Sequence, residues 1–427
     1  MSRAGLALAS GACALAGLGW LYEDSASAQR VEPGRARTVV VGPSRALSPT
    51  DRVDARRSGF SRAPLPTGTL RTGFRHAFGL SIEHAPLTLE DGSIAVVVNH
   101  NELVILSSAD NTPKYASSLG SGALGPPTAL ADGTLVVVTS GGEAVGVRQG
   151  AVRFRTRLGG ERSLVGHVSP LSLDDGGVVV ATATELTALD ADGGVRARAT
   201  VPEQLATPLV AASGEIIAVA GSGAVYGWVP GKETHKIGSF GAPIDGSAVL
   251  AGPATLLAVV EGSRLAAMDL AHGAVVTRAS VSAGIYLGPP AVSWRGGGEI
   301  AHLLSMTPGR ALLVAIDGSG QEVLRHQVST FTPMALADGG AAAMVAPPHA
   351  GVLVDAAGSV AFATPEGFIG VVSAASGVRM LGESPWATRI TAAGKPHGGN
   401  IIGISPSRDG FIVASDSGNL VEVVGAP

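Results

Sequence analysis

Residues 170–200 read PLSLDDGGVVVATATELTALDADGGVRARAT, and this stretch contains one complete unit of a repeat. A proline is followed at its fifth and sixth positions by Asp-Gly, and an unbroken apolar run comes next. The pattern recurs from Pro86, Pro127, Pro208 (with Ser-Gly) and Pro333, and the first four prolines are 41, 43 and 38 residues apart. A period near forty residues with several short strands per unit is typical of a β-propeller.

Weaker copies of the unit fill the remaining gaps in the series. Ser247 lies 39 residues after the preceding repeat proline, and Pro290 lies 43 residues after Ser247. In each unit the proline can begin a strand, and the following glycine supplies the positive φ of a tight turn. We predict such structural turns at Gly92, Gly133, Gly176, Gly214 and Gly339. The sequence therefore predicts an all-β fold, a single propeller of four-stranded antiparallel blades, with eight blades favoured and seven as the alternative.

The two ends of the repeat region complement each other. The C-terminal sequence FIVASDSGNLVEVVGAP supplies two strands, and it ends before the outer strand of its blade. The segment from Thr69 to Phe78 has a strand pattern but precedes the first blade. We therefore predict a propeller over residues 68–427, in which this N-terminal strand closes the last blade and leaves no open edge.

The first 28 residues have the layout of a secretory signal peptide. A short basic start precedes an apolar stretch from Ala4 to Tyr22, and an A-x-A site ends at Ala28. Two alternatives stay open: the 19-residue apolar stretch is retained as a membrane anchor, or Cys13 is lipidated. All three predict an exported protein, in the periplasm or associated with the outer membrane.

Residues 29–67 are predicted to form a flexible basic segment. From Gln29 to His76 there are ten arginines against three acidic residues, and several prolines favour an extended chain. One interpretation is a basic arm that contacts acidic lipids or an acidic partner, which would allow membrane association through the N-terminus. The other is a solvated spacer that folds back on an acidic propeller.

Residues for catalysis or metal binding are not evident in the sequence. Cys13 is the sole cysteine, so a chain cleaved after the signal has no disulfide and no cysteine-ligated metal. The ten histidines show no zinc-binding spacing. Asp190-Ala191-Asp192-Gly193 resembles a calcium loop slightly, but its position predicts a hairpin turn. We predict no catalytic, cofactor-binding or metal residue, no cofactor and no nucleic-acid partner.

The repeat becomes irregular towards the C-terminus. Residues 333–364 align with 170–200 as a whole blade, whereas residues 360–380 fit another frame, and LGESPWATRITAAGKPHGG (381–399) fits neither. The last stretch is either part of a degenerate blade with a long loop or a partner-binding loop that presents Trp386 and Arg389. Tryptophan and arginine are common at the centres of protein interfaces.

Several segments resemble the PQQ-like (pyrrolo-quinoline quinone) repeat. The clearest are VAFATPEGFIGVVSAASGVRM (360–380) and GVVVATATELTALDADGGVRA (177–197), and DARRSGFSRAPLPTGTLRTGF (54–74) resembles the lead-in of such proteins. The resemblance covers about residues 54–427. Members of this family include outer-membrane assembly scaffolds of the BamB type and quinoprotein alcohol dehydrogenases.

The resemblance implies a scaffold more strongly than an enzyme. Quinoprotein dehydrogenases of the family often carry adjacent cysteines and docking tryptophans in most blades, whereas this propeller has no cysteine and only Trp228, Trp294 and Trp386. We therefore expect a monomeric, non-enzymatic propeller that binds protein partners in the cell envelope, similar to BamB. The alternatives are a PQQ-dependent oxidoreductase and a ligand-binding or sensing ectodomain.

Overall fold

A computed structural model describes residues 46–48, 50, 52–159, 169–173, 175–205, 208–212, 214–282, 284–307, 310–330, 351–364, 367–373, 377–381 and 401–426. The regular elements within these ranges are β-strands, and they form eight sheets. Each sheet contains one four-stranded antiparallel blade, so the prediction of an eight-bladed β-propeller is confirmed. In the described ranges there is no helix of the length and hydropathy needed to cross a membrane.

The two strands that precede the first blade are β1 (Phe60–Ser61) and β2 (Leu70–Ala77). Blades 1 to 4 follow in chain order, each with its strands arranged from the centre outwards. Blade 1 contains β3 (Leu87–Thr88), β4 (Ile94–Val98), β5 (Glu102–Leu106) and β6 (Pro113–Ser118). Blade 2 contains β7 (Thr128–Ala129), β8 (Leu135–Thr139), β9 (Glu143–Arg148) and β10 (Ala151–Arg157). Blade 3 contains β11 (Leu171–Ser172), β12 (Val178–Ala181), β13 (Glu185–Leu189) and β14 (Val195–Thr200). Blade 4 contains β15 (Val210–Ala212), β16 (Glu215–Val219), β17 (Ala224–Trp228) and β18 (His235–Ser239).

Blades 5 to 8 complete the ring in the same order. Blade 5 contains β19 (Ile244–Leu250), β20 (Thr255–Val260), β21 (Arg264–Asp269) and β22 (Val275–Ser280). Blade 6 contains β23 (Ile285–Arg295), β24 (Gly298–Thr307), β25 (Arg310–Asp317) and β26 (Glu322–Thr330). Blade 7 contains β27 (Leu353–Asp355), β28 (Val360–Ala363), β29 (Ile369–Ser373) and β30 (Gly377–Met380). Blade 8 contains β31 (Ile401–Pro406), β32 (Gly410–Ser415) and β33 (Asn419–Gly425).

The outer strand of blade 8 comes from the N-terminal side of the propeller. Strand β2 pairs antiparallel with β33, in a register that places Leu70 opposite Gly425 and Ala77 opposite Asn419. The predicted closure of the last blade by an N-terminal strand is therefore confirmed. Because the first and last parts of the propeller share one sheet, the ring is held by backbone hydrogen bonds as well as by side-chain packing.

The apolar runs of the repeat are buried between neighbouring blades. In β12, Val178 and Val180 pack with residues of blade 2, whereas Val179 and Ala181 pack with residues of blade 4. Successive side chains of a strand point to opposite faces, so a strand that is buried on both faces has no polar position. Eight apolar clusters of this kind lie between successive blades and complete the ring.

The tight turns of the repeat have the backbone geometry that glycine allows. Gly92, Gly133, Gly176 and Gly214 have φ angles of 81°, 84°, 83° and 84°. Gly339 lies outside the described residues. The first strand of blade 7 is β27, so this blade follows the frame of residues 360–380 and not the frame that begins at Pro333.

Candidate functional site: the central channel

The centre of the ring is occupied by the protein's own N-terminal chain. We call residues 46–48, 50 and 52–61 the channel segment. Its carbonyls accept hydrogen bonds from one amide in each of four successive inner strands, β15, β19, β23 and β27. These pairs, amide first, are Ala211–Ala55 at 2.8 Å, Leu250–Arg56 at 2.9 Å, Val292–Ser58 at 2.8 Å and Val354–Gly59 at 3.0 Å. The inner edges of blades 4 to 7 are thereby paired with the chain itself.

The two ends of the channel segment extend these contacts to other blades. At its start, the amide of Ser48 donates to the carbonyl of Thr88 in blade 1 at 3.0 Å. The hydroxyls of Thr50 and Thr128, in blade 2, are 3.1 Å apart. At its end, β1 pairs in parallel with β27 and becomes a fifth, innermost strand of blade 7. The segment therefore joins blades that are far apart in the sequence.

Arg57 is the most completely bonded side chain of the channel segment. It is fully buried, and its guanidinium uses all five N–H donors. Nε donates to the carbonyl of Leu209 at 3.0 Å, and Nη2 donates to the carbonyls of Ser169 and Pro170, each at 3.1 Å. Nη1 donates to the hydroxyls of Ser169, at 3.2 Å, and Thr50. Arg57 therefore joins the inner edges of the neighbouring blades 3 and 4.

Arg52 makes a similar contact on the other side of the channel. Its guanidinium donates to the carbonyl of Val352 at 3.1 Å and to those of Pro289 and Pro290 at 3.3 and 2.5 Å. Pro170 and Pro290 are two of the repeat prolines; Pro170 directly precedes β11, whereas Pro290 lies within β23, and both present a carbonyl to the channel. The repeat thus supplies the acceptors that both buried arginines need.

A short turn shapes the channel segment between its two buried arginines. The carboxylate of Asp54 accepts hydrogen bonds from the Ser58 amide at 2.9 Å and the Ser58 hydroxyl at 2.7 Å. Arg52, Val53 and Arg57 have φ angles of 60°, 77° and 57°. Residues other than glycine rarely adopt this region, and a β-branched residue does so least readily. Such a backbone persists only where surrounding contacts hold it, which agrees with the bonds of this segment.

The channel segment lies within residues 29–67, for which the sequence predicted a flexible basic segment. Residues 29–45 lie outside the described ranges, but the channel segment is bonded to the inner strands. The sequence suggested an extended chain because of its arginines and prolines. Two of those arginines instead bind backbone carbonyls inside the ring, where a long side chain with five donors satisfies acceptors from several blades.

The filled channel limits the chemistry that the ring centre can perform. Arg57 and the backbone around it occupy the position where side chains of several blades could otherwise meet around a ligand. Among the residues that the structure describes, no group of three or more His, Cys, Asp or Glu side chains is placed to hold a metal ion. The site as it stands is a packed junction that stabilises the ring.

The other residues selected from the sequence lie in different places. Trp228 is fully buried and donates from Nε1 to the carbonyl of Lys232 at 3.0 Å. Trp294 is 42% exposed and packs edge-on against Phe60, with ring centroids 5.8 Å apart. Trp386 and Arg389 lie outside the described residues, and so does the signal-like N-terminus.

The candidate calcium loop forms a turn. Oδ1 of Asp190 accepts hydrogen bonds from the amides of Asp192 at 3.0 Å and Gly194 at 2.7 Å. An aspartate that bonds the backbone two residues on is a common turn device.

Sequence reasoning missed the burial of Arg52 and Arg57. The available signal was the similarity of residues 54–74 to the lead-in of PQQ-like proteins, since a lead-in with a fixed sequence is expected to have a fixed place in the fold. Composition alone favoured a flexible, solvent-exposed segment.

These features define an eight-bladed propeller of the PQQ-like repeat class with a channel filled from its own N-terminal side. The sequence matches the protein family described as outer membrane protein assembly factor BamB over residues 53–278. This match covers more than half of the chain, and the chain belongs to that family. No curated protein matches the chain at a significant level.

Solved structures share the fold at low sequence identity. BamB from Moraxella catarrhalis is 13% identical, with 84% of this chain and 98% of that chain covered and a TM-score of 0.56. Quinohemoprotein alcohol dehydrogenase from Comamonas testosteroni is 11% identical, with 88% and 80% covered and a TM-score of 0.61. The computationally designed Ika8 protein is 12% identical, with 84% and 99% covered and a TM-score of 0.57. At these identities the likeness shows the fold alone.

Proposed function

We propose that this protein is a monomeric, non-enzymatic propeller that serves as a protein-interaction scaffold in the cell envelope. The filled channel is the observation that carries the proposal. A ring whose centre is bonded to its own chain has a rigid frame, and its outer faces and loops are then the surfaces left for partners. Membership of the BamB family supports the same role.

The proposed location follows from the N-terminal sequence and the family. Residues 1–28 have the pattern of a signal peptide, and the family is described by an outer-membrane protein. We place the protein in the periplasm or at the outer membrane. Whether the apolar stretch is cleaved, retained as an anchor or lipidated at Cys13 is decided by the mass and N-terminal sequence of the protein from envelopes.

The proposal is tested by cross-linking the tagged full-length protein in intact envelopes and identifying its partners by mass spectrometry. We expect specific recovery of outer-membrane assembly proteins. Recovery of no specific partner, in cells where the protein is abundant, would overturn the scaffold function.

The partner-binding loop is tested within the same experiment. Replacing Trp386 and Arg389 together with alanine is expected to reduce recovery of the partner. The control replaces Arg295, an exposed arginine of blade 6, and is expected to leave recovery unchanged; Trp294 beside it is kept because it packs against Phe60. Thermal unfolding of both variants checks that the ring is intact. Equal loss in both variants would remove the loop from the proposal.

A PQQ-dependent oxidoreductase is the alternative function. The channel segment is bonded to the inner strands of blades 4 to 7, so a quinone bound at the ring centre would have to displace it. The purified protein, incubated with PQQ and Ca²⁺ and then desalted, is expected to retain no quinone absorbance. A retained chromophore that an alcohol reduces would favour the enzyme instead.

A further inference from the structure

A groove lies between blades 5 and 6, beside the apolar cluster that packs these two blades together. It encloses a cavity of about 600 Å³. The strands of blade 6 contain 11, 10, 8 and 9 residues, whereas those of blade 5 contain 7, 6, 6 and 6. Blade 6 therefore presents more surface than blade 5 covers. A volume of this size suits a small ligand.

The floor of the groove is apolar. Leu312, Val314 and Ile316 are alternate residues of β25, so their side chains share one face of the sheet. Blade 5 contributes the small side chain of Ala279 to the opposite wall. The cavity remains between the two walls because the methyl group of Ala279 is too small to fill the space above these three side chains.

One end of the groove is polar. Cross-strand pairing places Tyr286 opposite Ser305, and Thr307 opposite Arg310. All four residues line the cavity. Paired residues on adjacent antiparallel strands project from the same face, so these three hydroxyl groups and one guanidinium are gathered near the β24–β25 turn.

Tyr286 brings a hydrogen-bond donor to this polar end. Its side chain is only 4% exposed, yet its hydroxyl makes no hydrogen bond to another residue that the structure describes. Burial, together with the negative charge of Glu322, raises the pKa of Tyr286 to about 12, so the hydroxyl keeps its proton at neutral pH. Tyr286 lines the cavity, so its hydroxyl can donate to a ligand there.

Tyr226 is a tyrosine of similar burial whose hydroxyl is hydrogen-bonded within the protein. Its side chain is also 4% exposed, and burial likewise raises its pKa to about 12. The Tyr226 hydroxyl donates to the carboxylate of Glu203 at 2.6 Å. By comparison, the Tyr286 hydroxyl has no acceptor among the described residues, and a bound ligand could supply one.

The charge of the groove points to an anionic acceptor. Glu322 is already engaged by Arg325, through Nε at 2.6 Å and Nη2 at 2.5 Å. Arg310 is exposed at the groove and has no ion pair within the described part of the chain. Among the described residues, the groove thus keeps one positive charge without a counter-ion, next to a hydroxyl donor without an acceptor.

We propose that the groove between blades 5 and 6 binds an amphipathic monocarboxylate. Its carboxylate accepts hydrogen bonds from Arg310 and from the Tyr286 hydroxyl, and its apolar chain lies along Leu312, Val314 and Ile316. A free acyl carboxylate and the C-terminal carboxylate of an apolar peptide offer this same chemistry. The site is independent of the envelope partners proposed above, and it can be present whether or not that function holds.

Binding is tested by isothermal titration calorimetry on the purified protein with two carboxylates, decanoate and a blocked tripeptide of leucine with a free C-terminus. Decanol and the C-terminally amidated tripeptide are the uncharged controls. We expect binding of at least one carboxylate and weak or no binding of its uncharged counterpart. Which carboxylate binds identifies the source. Binding of neither carboxylate, or equal binding of acid and control, would overturn the proposal.

Variants assign the binding to the groove. Arg310→Ala is expected to weaken binding by about tenfold or more, and Tyr286→Phe by several-fold, as for hydrogen bonds to a charged group. Arg295→Ala on the same blade and Tyr226→Phe are the matched controls and should bind with unchanged affinity. Ala279→Phe should fill the cavity and abolish binding while the protein remains folded. If all of these variants bind as the unmodified protein does, the carboxylate lies elsewhere and the assignment is wrong.

Discussion

The ring centre and the groove between blades 5 and 6 both contain arginines, and the two regions use them differently. In the centre, the Arg57 side chain is fully buried, and all five of its donors are bonded to neutral oxygens of the protein. In the groove, Arg310 is exposed and has no ion pair among the described residues. A guanidinium whose donors are all used stabilises the fold, whereas one beside an open cavity is available to a ligand.

The difference also separates stability from binding. If all donors in the ring centre are bonded within the protein, substitutions there should lower the free energy of unfolding strongly, and no ligand should restore it. If the groove is a ligand site, substitutions there should change the free energy of unfolding little and should weaken ligand binding. The following predictions test this division, beginning with the largest effect.

Removing the closing strand should have the largest effect on stability. Deletion of residues 70–77 removes β2 and leaves β33 with an unpaired edge. We expect the thermal midpoint, followed by circular dichroism, to fall by roughly 10 °C or more, or the cooperative transition to disappear. As a control, Arg71→Ala alters an exposed side chain of β2 and keeps the strand. An unchanged midpoint after the deletion would contradict the closure of the ring by this strand.

Arg57→Ala should be the most destabilising single substitution in the channel. It leaves buried carbonyls of Ser169, Pro170 and Leu209 without their donor, and we expect a loss of about 3–5 kcal/mol in the free energy of unfolding by urea. The neighbouring Arg56 is exposed and is the matched control, because Arg56→Ala should change the stability by less than about 0.5 kcal/mol. Similar losses in the two variants would show that the guanidinium of Arg57 is not buried as described.

The opposite face of blade 6 predicts a pH effect. His302 is buried there, its Nε2 lies 2.9 Å from the hydroxyl of Ser293, and desolvation lowers its pKa from 6.5 to about 4. The unfolded chain therefore takes up a proton at a higher pH than the folded chain. The free energy of unfolding is therefore unaffected by protonation of His302 above pH 6.5. It decreases as the pH falls from 6.5 towards 4, by roughly 3 kcal/mol in total.

The test compares urea unfolding of the unmodified protein and His302→Leu between pH 7.5 and pH 4.5. We expect a shallower decline with falling pH in the variant. His326→Ala is the control, since His326 lies on the outer strand β26 of the same blade, forms no ion pair among the described residues and should leave the decline unchanged. Parallel declines for His302→Leu and the unmodified protein would mean that His302 is not the buried titrating group.

The two tyrosines should give the smallest and most specific contrast. Tyr226→Phe removes the hydrogen bond to Glu203 and should lower the melting temperature by about 2 °C. Tyr286→Phe removes a hydroxyl without a described partner and should leave the melting temperature unchanged. A drop of equal size in both variants would show that the Tyr286 hydroxyl is already bonded within the protein.

The fold could be predicted from the sequence because its determinants are local and repeated. The spacing of the prolines set the period, and runs such as residues 178–181 showed that strands are buried on both faces. The start of blade 7 could not be predicted in this way, because the copy at Pro333 has the turn residues of the repeat but β27 begins at Leu353. Turn residues mark a tight turn, but they do not determine which turn begins a blade.

The candidate sites could not be predicted in the same way. Arg56 and Arg57 are adjacent and of identical type, and only contacts with residues 112 to 152 positions away determine which one is buried. The groove depends on unequal strand lengths in two blades and on the small side chain of Ala279. Neither property has a sequence motif, because each arises from the fit between blades.

Hydrogen–deuterium exchange tests most directly whether the protein's own chain fills the ring centre. The amides of Ala211, Leu250, Val292 and Val354 donate to carbonyls of the channel segment. If the segment is seated in solution, these four amides should exchange as slowly as the buried strands of the blades, and Arg57→Ala should accelerate all four together. Fast exchange at these amides in the unmodified protein, with the blades still protected, would contradict a filled channel.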